Sequence, residues 1–102
     1  MPKFFKATHK KDIPTGGAAS VQIEGKNIAL FNIDGTFYAI DNECNHVGGP
    51  LCDGNLNGTS VTCPWHGAQF DVTSGKALGG PASGNIGCYK VKVEGEEIHV
   101  EV

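Results

Sequence analysis

Near its C-terminal end the chain alternates apolar and polar residues with a period of two. Tyr89, Val91 and Val93 interleave with Lys90 and Lys92, and Ile98, Val100 and Val102 interleave with His99 and Glu101. Such alternation predicts two strands, each with one wet face, and Gly95 between them predicts the turn of a closing hairpin. From Phe4 to Ile40 the apolar positions fall in short β-branched or aromatic runs: Ser20 to Glu24, Ile28 to Ile33, and Thr36 to Ile40. These read as strands in sequence order, a meander, with turns at Gly25-Lys26-Asn27 and Asp34-Gly35. Asp-Gly suits a two-residue hairpin turn because both positions tolerate positive φ. The closing hairpin is expected to pack on the meander, giving an all-β antiparallel sandwich or small barrel.

Between about residues 42 and 87 the pattern breaks. Ten of the fifteen glycines and three of the five prolines lie there, with strand-like runs only at Ser60 to Cys63 and Ala68 to Val72. A loop-rich insert of this length in a small β domain needs an internal reason for order, and a bound metal centre supplies one. With 102 residues there is room for one domain, 1–102, whose modest core calls for a further source of stability. No internal repeat is present. The triplet Asn57-Gly58-Thr59 fits a glycosylation sequon but is expected to be only a turn.

Charge narrows the function classes. The net charge is -3, and all eight basic side chains are lysines, which argues against nucleic-acid recognition and favours a basic partner surface. No apolar run approaches the ~20 residues that span a bilayer, and the lysine-containing start lacks the apolar stretch of a secretory signal. The expectation is a cytoplasmic protein with neither nucleic acid nor membrane as partner. In that compartment the four cysteines are more naturally metal ligands or free thiols than disulfides.

Two of those cysteines belong to short donor pairs, Cys44-Asn45-His46 and Cys63-Pro64-Trp65-His66, with sixteen residues between His46 and Cys63. Each pair offers one thiolate and one imidazole, a mixture that suits zinc or an iron–sulfur cluster. Structural zinc sites commonly use C-x(2-4)-C or H-x(3-5)-H, so that both members of a pair reach one ion. In C-x-H the two side chains leave an extended backbone on opposite sides, a poor match to a single ion. Two bridged irons separate such ligands naturally.

The sequence here resembles the Rieske [2Fe-2S] family, whose signature is C-x-H followed, after about this spacing, by C-P-W-H-G. The resemblance extends to Gly48-Gly49-Pro50-Leu51, Gly67-Ala68-Gln69-Phe70-Asp71, Ser74-Gly75 and Gly79-Gly80-Pro81-Ala82. The last looks like the family's proline loop. It implies a Rieske-type fold with an inserted cluster-binding subdomain and one [2Fe-2S] cluster. Cys44 and Cys63 would bind the inner iron, and His46 and His66 the outer one. Two ferric ions, two sulfides and two thiolates sum to zero charge, which eases reduction compared with four thiolates. The electron is expected on the imidazole-bound iron, whose edge then serves entry and exit.

Respiratory members of the family carry a serine two residues, and a tyrosine four residues, after the second histidine, both donating to sulfur. Here those positions are Ala68 and Phe70. Asp41, Glu43, Asp53 and Asp71 lie near the ligands in sequence, and together these features predict a low-potential centre. The disulfide that joins the cluster loops in respiratory members would fall at Gly49 and Trp65, so it is absent here. Cys52 and Cys88 are expected to be buried thiols packed as small hydrophobes. Trp65 is expected to pack beside the cluster loops, His9 and His99 to be solvated, and Lys3, Lys6, Lys10 and Lys11 to guard an edge strand.

The leading functional expectation is a soluble, freestanding ferredoxin, an electron carrier and not itself an enzyme. It would be an oxygenase component passing single electrons from an NAD(P)H-dependent flavoprotein reductase to a terminal oxygenase or related oxidoreductase. Alternatives are a small subunit of a larger reductase, such as a nitrite reductase, and a non-redox zinc module.

Overall fold

The computed structural model describes residues 3–43, 51–64, 67–79 and 84–102. Among them are eleven strands in three antiparallel sheets. Strands β2 (Ala18–Ile23), β3 (Lys26–Ile33) and β4 (Thr36–Asp41) form the expected meander, and β9 (Cys88–Tyr89) pairs with the far side of β4. Both meander turns hold two residues. Asp34 and Gly35 take positive φ between the paired Ile33 and Thr36, as the Asp-Gly pair predicts. The first turn sits one residue earlier than expected: Glu24 and Gly25 make it, while Lys26 and Asn27 already pair with Ile23 and Gln22. Gly25 marks this turn, and Glu24 at φ 51° precedes it.

The closing hairpin, β10 (Val91–Glu94) and β11 (Glu97–Glu101), gains a third strand that sequence reasoning left unassigned to a sheet. Strand β1 (Phe4–His9) pairs with β11, giving the order β1-β11-β10. β1 is therefore an edge, where lysines discourage further strand pairing, and Lys6 bridges to Glu97 at 3.3 Å.

The middle layer explains the unbroken apolar run of β3. Ile28 and Leu30 of β3, with Phe37 and Ala39 of β4, join Ile98 and Val100 in one buried cluster. Ala29 and Phe31, with Ile40, face the other way into a second cluster with Leu51, Val61, Cys63, Ala68, Phe70 and Val72. A strand covered on both faces loses the alternation of a half-exposed one. Asn32, the polar exception in this layer, is buried but satisfied: its amide donates to the Ile13 carbonyl at 2.7 Å, and its oxygen accepts from Gly35 N–H at 2.9 Å.

The second cluster is the floor of the inserted region. There β5 (Asn55–Asn57), β6 (Ser60–Thr62), β7 (Gln69–Asp71) and β8 (Ala77–Gly79) form a sheet in chain order. Sequence reasoning found only β6 and β7, because strands of three residues among glycines carry too few positions for a period to register. Glycine keeps this sheet compact. A Cβ on Gly54 would lie 2.2 Å from the Thr62 carbonyl oxygen, and one on Gly75 would lie 2.3 Å from that of Ile86.

Candidate iron–sulfur centre

Of the four sequence-predicted ligands, Cys63 lies within the described residues; Cys44, His46 and His66 lie outside them, as do Trp65 and residues 80–82 of the expected proline loop. Among the described residues no three metal-ligating side chains converge. The described residues frame the two segments expected to carry the ligands.

Cys63 follows β6 directly and is 2 % exposed. Its N–H donates to the Ala68 carbonyl at 2.7 Å, and its carbonyl accepts from Gly67 N–H at 3.2 Å. These two bonds join the end of β6 to the residues that lead into β7. The Cys63 side chain shares its apolar cluster with Leu51, Ala68 and Phe70. No hydroxyl stands at position 68 or 70, and both residues are fully buried.

Hydrogen bonds also close the base of the first segment expected to carry ligands. Asn42, 4 % exposed, follows the end of β4. Its carbonyl accepts from Leu51 N–H at 2.7 Å and its side-chain oxygen accepts from Cys52 N–H at 2.9 Å, closing the chain between them. Its own N–H donates to the Asn27 carbonyl at 3.0 Å. Sequence reasoning missed Asn42; the available signal was an Asx residue at a strand end, a position where such side chains bond nearby backbone. Leu51 and Cys63 then bring the two ligand segments onto one hydrophobic floor.

A third connection reaches the same junction. Asp41 N–H donates to the Gly87 carbonyl at 2.9 Å, and its carboxylate accepts from Gly87 N–H at 2.7 Å and from the Tyr89 hydroxyl at 2.5 Å. Burial, then the hydrogen bond to Asp41, push the Tyr89 hydroxyl up to about 12. The Asp71 carboxylate is likewise engaged, capping the turn after β7 through Thr73 N–H at 2.8 Å and Thr73 Oγ1 at 2.6 Å. Two of the four carboxylates expected to act as free charges therefore spend their lone pairs on structural hydrogen bonds.

The remaining cysteines divide. Cys52 is half-buried, and burial followed by the charge of Asp53 raises its thiol. Cys88 corrects the expectation of a buried thiol: it is exposed, because β9 is the outer strand of its sheet and leaves one side open. The two are not joined to each other. His99 is also less solvated than expected, half-buried and 3.2 Å from the Glu97 carboxylate.

The donor chemistry fits an iron–sulfur centre. Cys63 has its backbone fixed by two hydrogen bonds and its side chain set in an apolar cluster, a preset position from which a thiolate could ligate iron. Leu51 and Cys63, next to the two segments expected to carry ligands, thus lie in one apolar cluster beneath an all-β frame. The Rieske [2Fe-2S] domain family matches residues 3–90, and the chain belongs to that family, whose cofactor is one [2Fe-2S] cluster.

Within the family the chain is of the ferredoxin type. It is 39 % identical over 100 residues to the ferredoxin component of the naphthalene 1,2-dioxygenase system of Pseudomonas aeruginosa, covering 98 % of this chain and 96 % of that one. The ferredoxin of Sphingomonas yanoikuyae B1 superposes with a TM-score of 0.90 at 29 % identity, covering 98 % of this chain and 99 % of that one. A chain from the complex of reduced oxygenase and oxidised ferredoxin in carbazole 1,9a-dioxygenase superposes with a TM-score of 0.88 at 28 % identity, covering 95 % and 91 %. No helix among the described residues is long and apolar enough to cross a membrane.

Proposed function

We propose that this Rieske protein is a cytoplasmic shuttle that takes single electrons from an NAD(P)H-dependent flavoprotein reductase and delivers them to a terminal oxygenase. Residues 1–102 act as one domain, with the cluster-binding insert at about 42–87. Cys44 and Cys63 supply the thiolates, and His46 and His66 the imidazoles. The observation that carries this reading is the nearly end-to-end match to a ferredoxin component of a dioxygenase system.

The cluster supplies a one-electron couple; the chain supplies its setting. Cys63 is held dry by Leu51, Ala68 and Phe70, and Asn42 fixes the span of the first ligand segment. Six of the eight lysines, namely Lys3, Lys6, Lys10, Lys11, Lys90 and Lys92, lie on or beside the β1-β11-β10 sheet, where Asp12, Glu94, Glu96, Glu97 and Glu101 nearly balance them. Asp41, Glu43, Asp53 and Asp71 lie in or beside the insert, leaving that end acidic and suited to steer toward a basic partner.

The test is reconstitution with a flavoprotein reductase and an aromatic-ring oxygenase. NADH consumption coupled to product should require this chain, saturate with its concentration and slow as salt is raised. Product formation at the same rate without the chain would refute the assignment.

A further inference from the structure

Asp41 is placed in the chain as though it were a surface charge three residues before Cys44, but its bonding is that of a clamp. Both carboxylate oxygens are engaged, one by Gly87 N–H and the other by the Tyr89 hydroxyl, and the Asp41 N–H returns a bond to the Gly87 carbonyl. Gly87 is fitted to this arrangement: a Cβ there would lie 2.8 Å from one carboxylate oxygen of Asp41 and 3.1 Å from the Tyr89 hydroxyl. The segment it ends is tied elsewhere too. Ile86 N–H donates to the Gly75 carbonyl at 2.8 Å, and the Asn85 side chain accepts from Ala77 N–H at 2.9 Å.

The next residue, Asn42, closes the first ligand segment through Leu51 and Cys52. Asp41 thus fastens the base of that segment to residues 84–89, which are themselves bonded to Gly75 and to Ala77 of β8, in the sheet whose β6 leads into Cys63. We propose, resting on the cluster assignment above, that Asp41 is a positioning residue for the iron–sulfur centre. It acts through hydrogen bonds to Gly87 and Tyr89 that set the relation between the two ligand-bearing parts, and its negative charge is incidental to the role.

That distinction is testable because asparagine can replace the geometry without the charge. Its oxygen accepts from Gly87 N–H while its amide donates to the Tyr89 oxygen, which is an acceptor as well as a donor. Asp41→Ala removes both bonds, and Gly87→Ala keeps both side chains but drives them apart. The purified holoproteins are compared by cluster loss to a chelator, by the electron paramagnetic resonance line shape of the reduced state, by midpoint potential and by thermal melting.

Asp41→Ala and Gly87→Ala are expected to lose the cluster roughly 10- to 100-fold faster, the factor that accompanies loss of a buried hydrogen bond to a charged group. Both should also show an altered resonance line shape and a shifted potential, while Asp41→Asn stays near the wild type in all three. Equal shifts in Asp41→Asn and Asp41→Ala would assign the effect to charge and overturn the proposal. Wild-type line shape and potential in Asp41→Ala and Gly87→Ala, with only melting lowered, would reduce the clamp to a structural bond and overturn it as well. Should Asp41→Ala not fold, Gly87→Ala and Tyr89→Phe decide by the same readouts. A wild-type protein that holds no cluster would instead refute the assignment on which the proposal rests, and is seen before any variant is made.

Discussion

Replacing Ala68 with serine, or Phe70 with tyrosine, tests whether the missing hydroxyls set the potential of this centre. Both residues are fully buried in the cluster that contains Cys63, and the Ala68 carbonyl already accepts from Cys63 N–H, so a side chain at 68 starts beside the proposed ligand. A hydrogen bond to a charged acceptor contributes about 1.5–3 kcal/mol. If the bond formed only in the reduced state, each hydroxyl would raise the midpoint by about 65–130 mV, at about 59 mV per tenfold for one electron. Because it also forms in part with the oxidised centre, that range is an upper bound. An added hydroxyl that finds no acceptor costs about 1–3 kcal/mol of stability and leaves the potential unchanged, so melting must be measured alongside. The assay is a spectroscopic redox titration of each variant and of the pair, at fixed pH and ionic strength. The pair should sit highest. Variants that melt like the wild type, keep their visible spectrum and titrate within about 20 mV of it, well under half of one tenfold step, would refute the reasoning.

Other consequences follow from the same structure. Cys63→Ala should abolish cluster binding, read as loss of visible absorption after anaerobic reconstitution; retention of the full spectrum would remove Cys63 from the ligand set. Phe31→Ala, in the layer buried on both faces, should cost about 3–5 kcal/mol in a urea melt; a cost near zero would contradict the packing of that layer. Tyr89 is held neutral in the folded state up to about 12, above its ordinary value near 10. The contribution of its bond to stability is therefore full below pH 10 and lost as pH rises from 10 to 12. Ultraviolet titration of Tyr38→Phe should show Tyr89 ionising above pH 11, and ionisation near pH 10 would contradict the Asp41 bond.

How far the sequence speaks for itself differs between the two halves of the molecule. The meander and closing hairpin are legible because Ile28–Ile33 and Ile98–Val102 carry enough apolar positions to show their faces, and Asp34-Gly35 names its own turn. The partnership of β1 with β11 is not legible, since nothing local in Phe4–His9 states which strand, 88 to 97 residues later, it will meet. The short strands β5 and β8 are hidden by their length, and the turn at Glu24-Gly25 is legible through its glycine to within one residue. The ligand motif stands out because two cysteine–histidine pairs with flanking Gly and Pro are chemically distinctive. What holds it does not stand out. Asn42, Asp41, Gly87 and Tyr89 act through contacts up to 48 residues apart in the chain, and an aspartate bound by a tyrosine reads, in sequence, like any surface charge.

The central claim, a redox cluster with imidazole ligands, is tested most directly by the midpoint potential of the purified holoprotein measured from pH 6 to pH 11. The account predicts a plateau near neutrality and then a fall toward about 59 mV per pH unit for each coupled proton, as ligand imidazoles of the oxidised state deprotonate. A reversible couple that stays flat to pH 11, or no reducible centre at all, would contradict it.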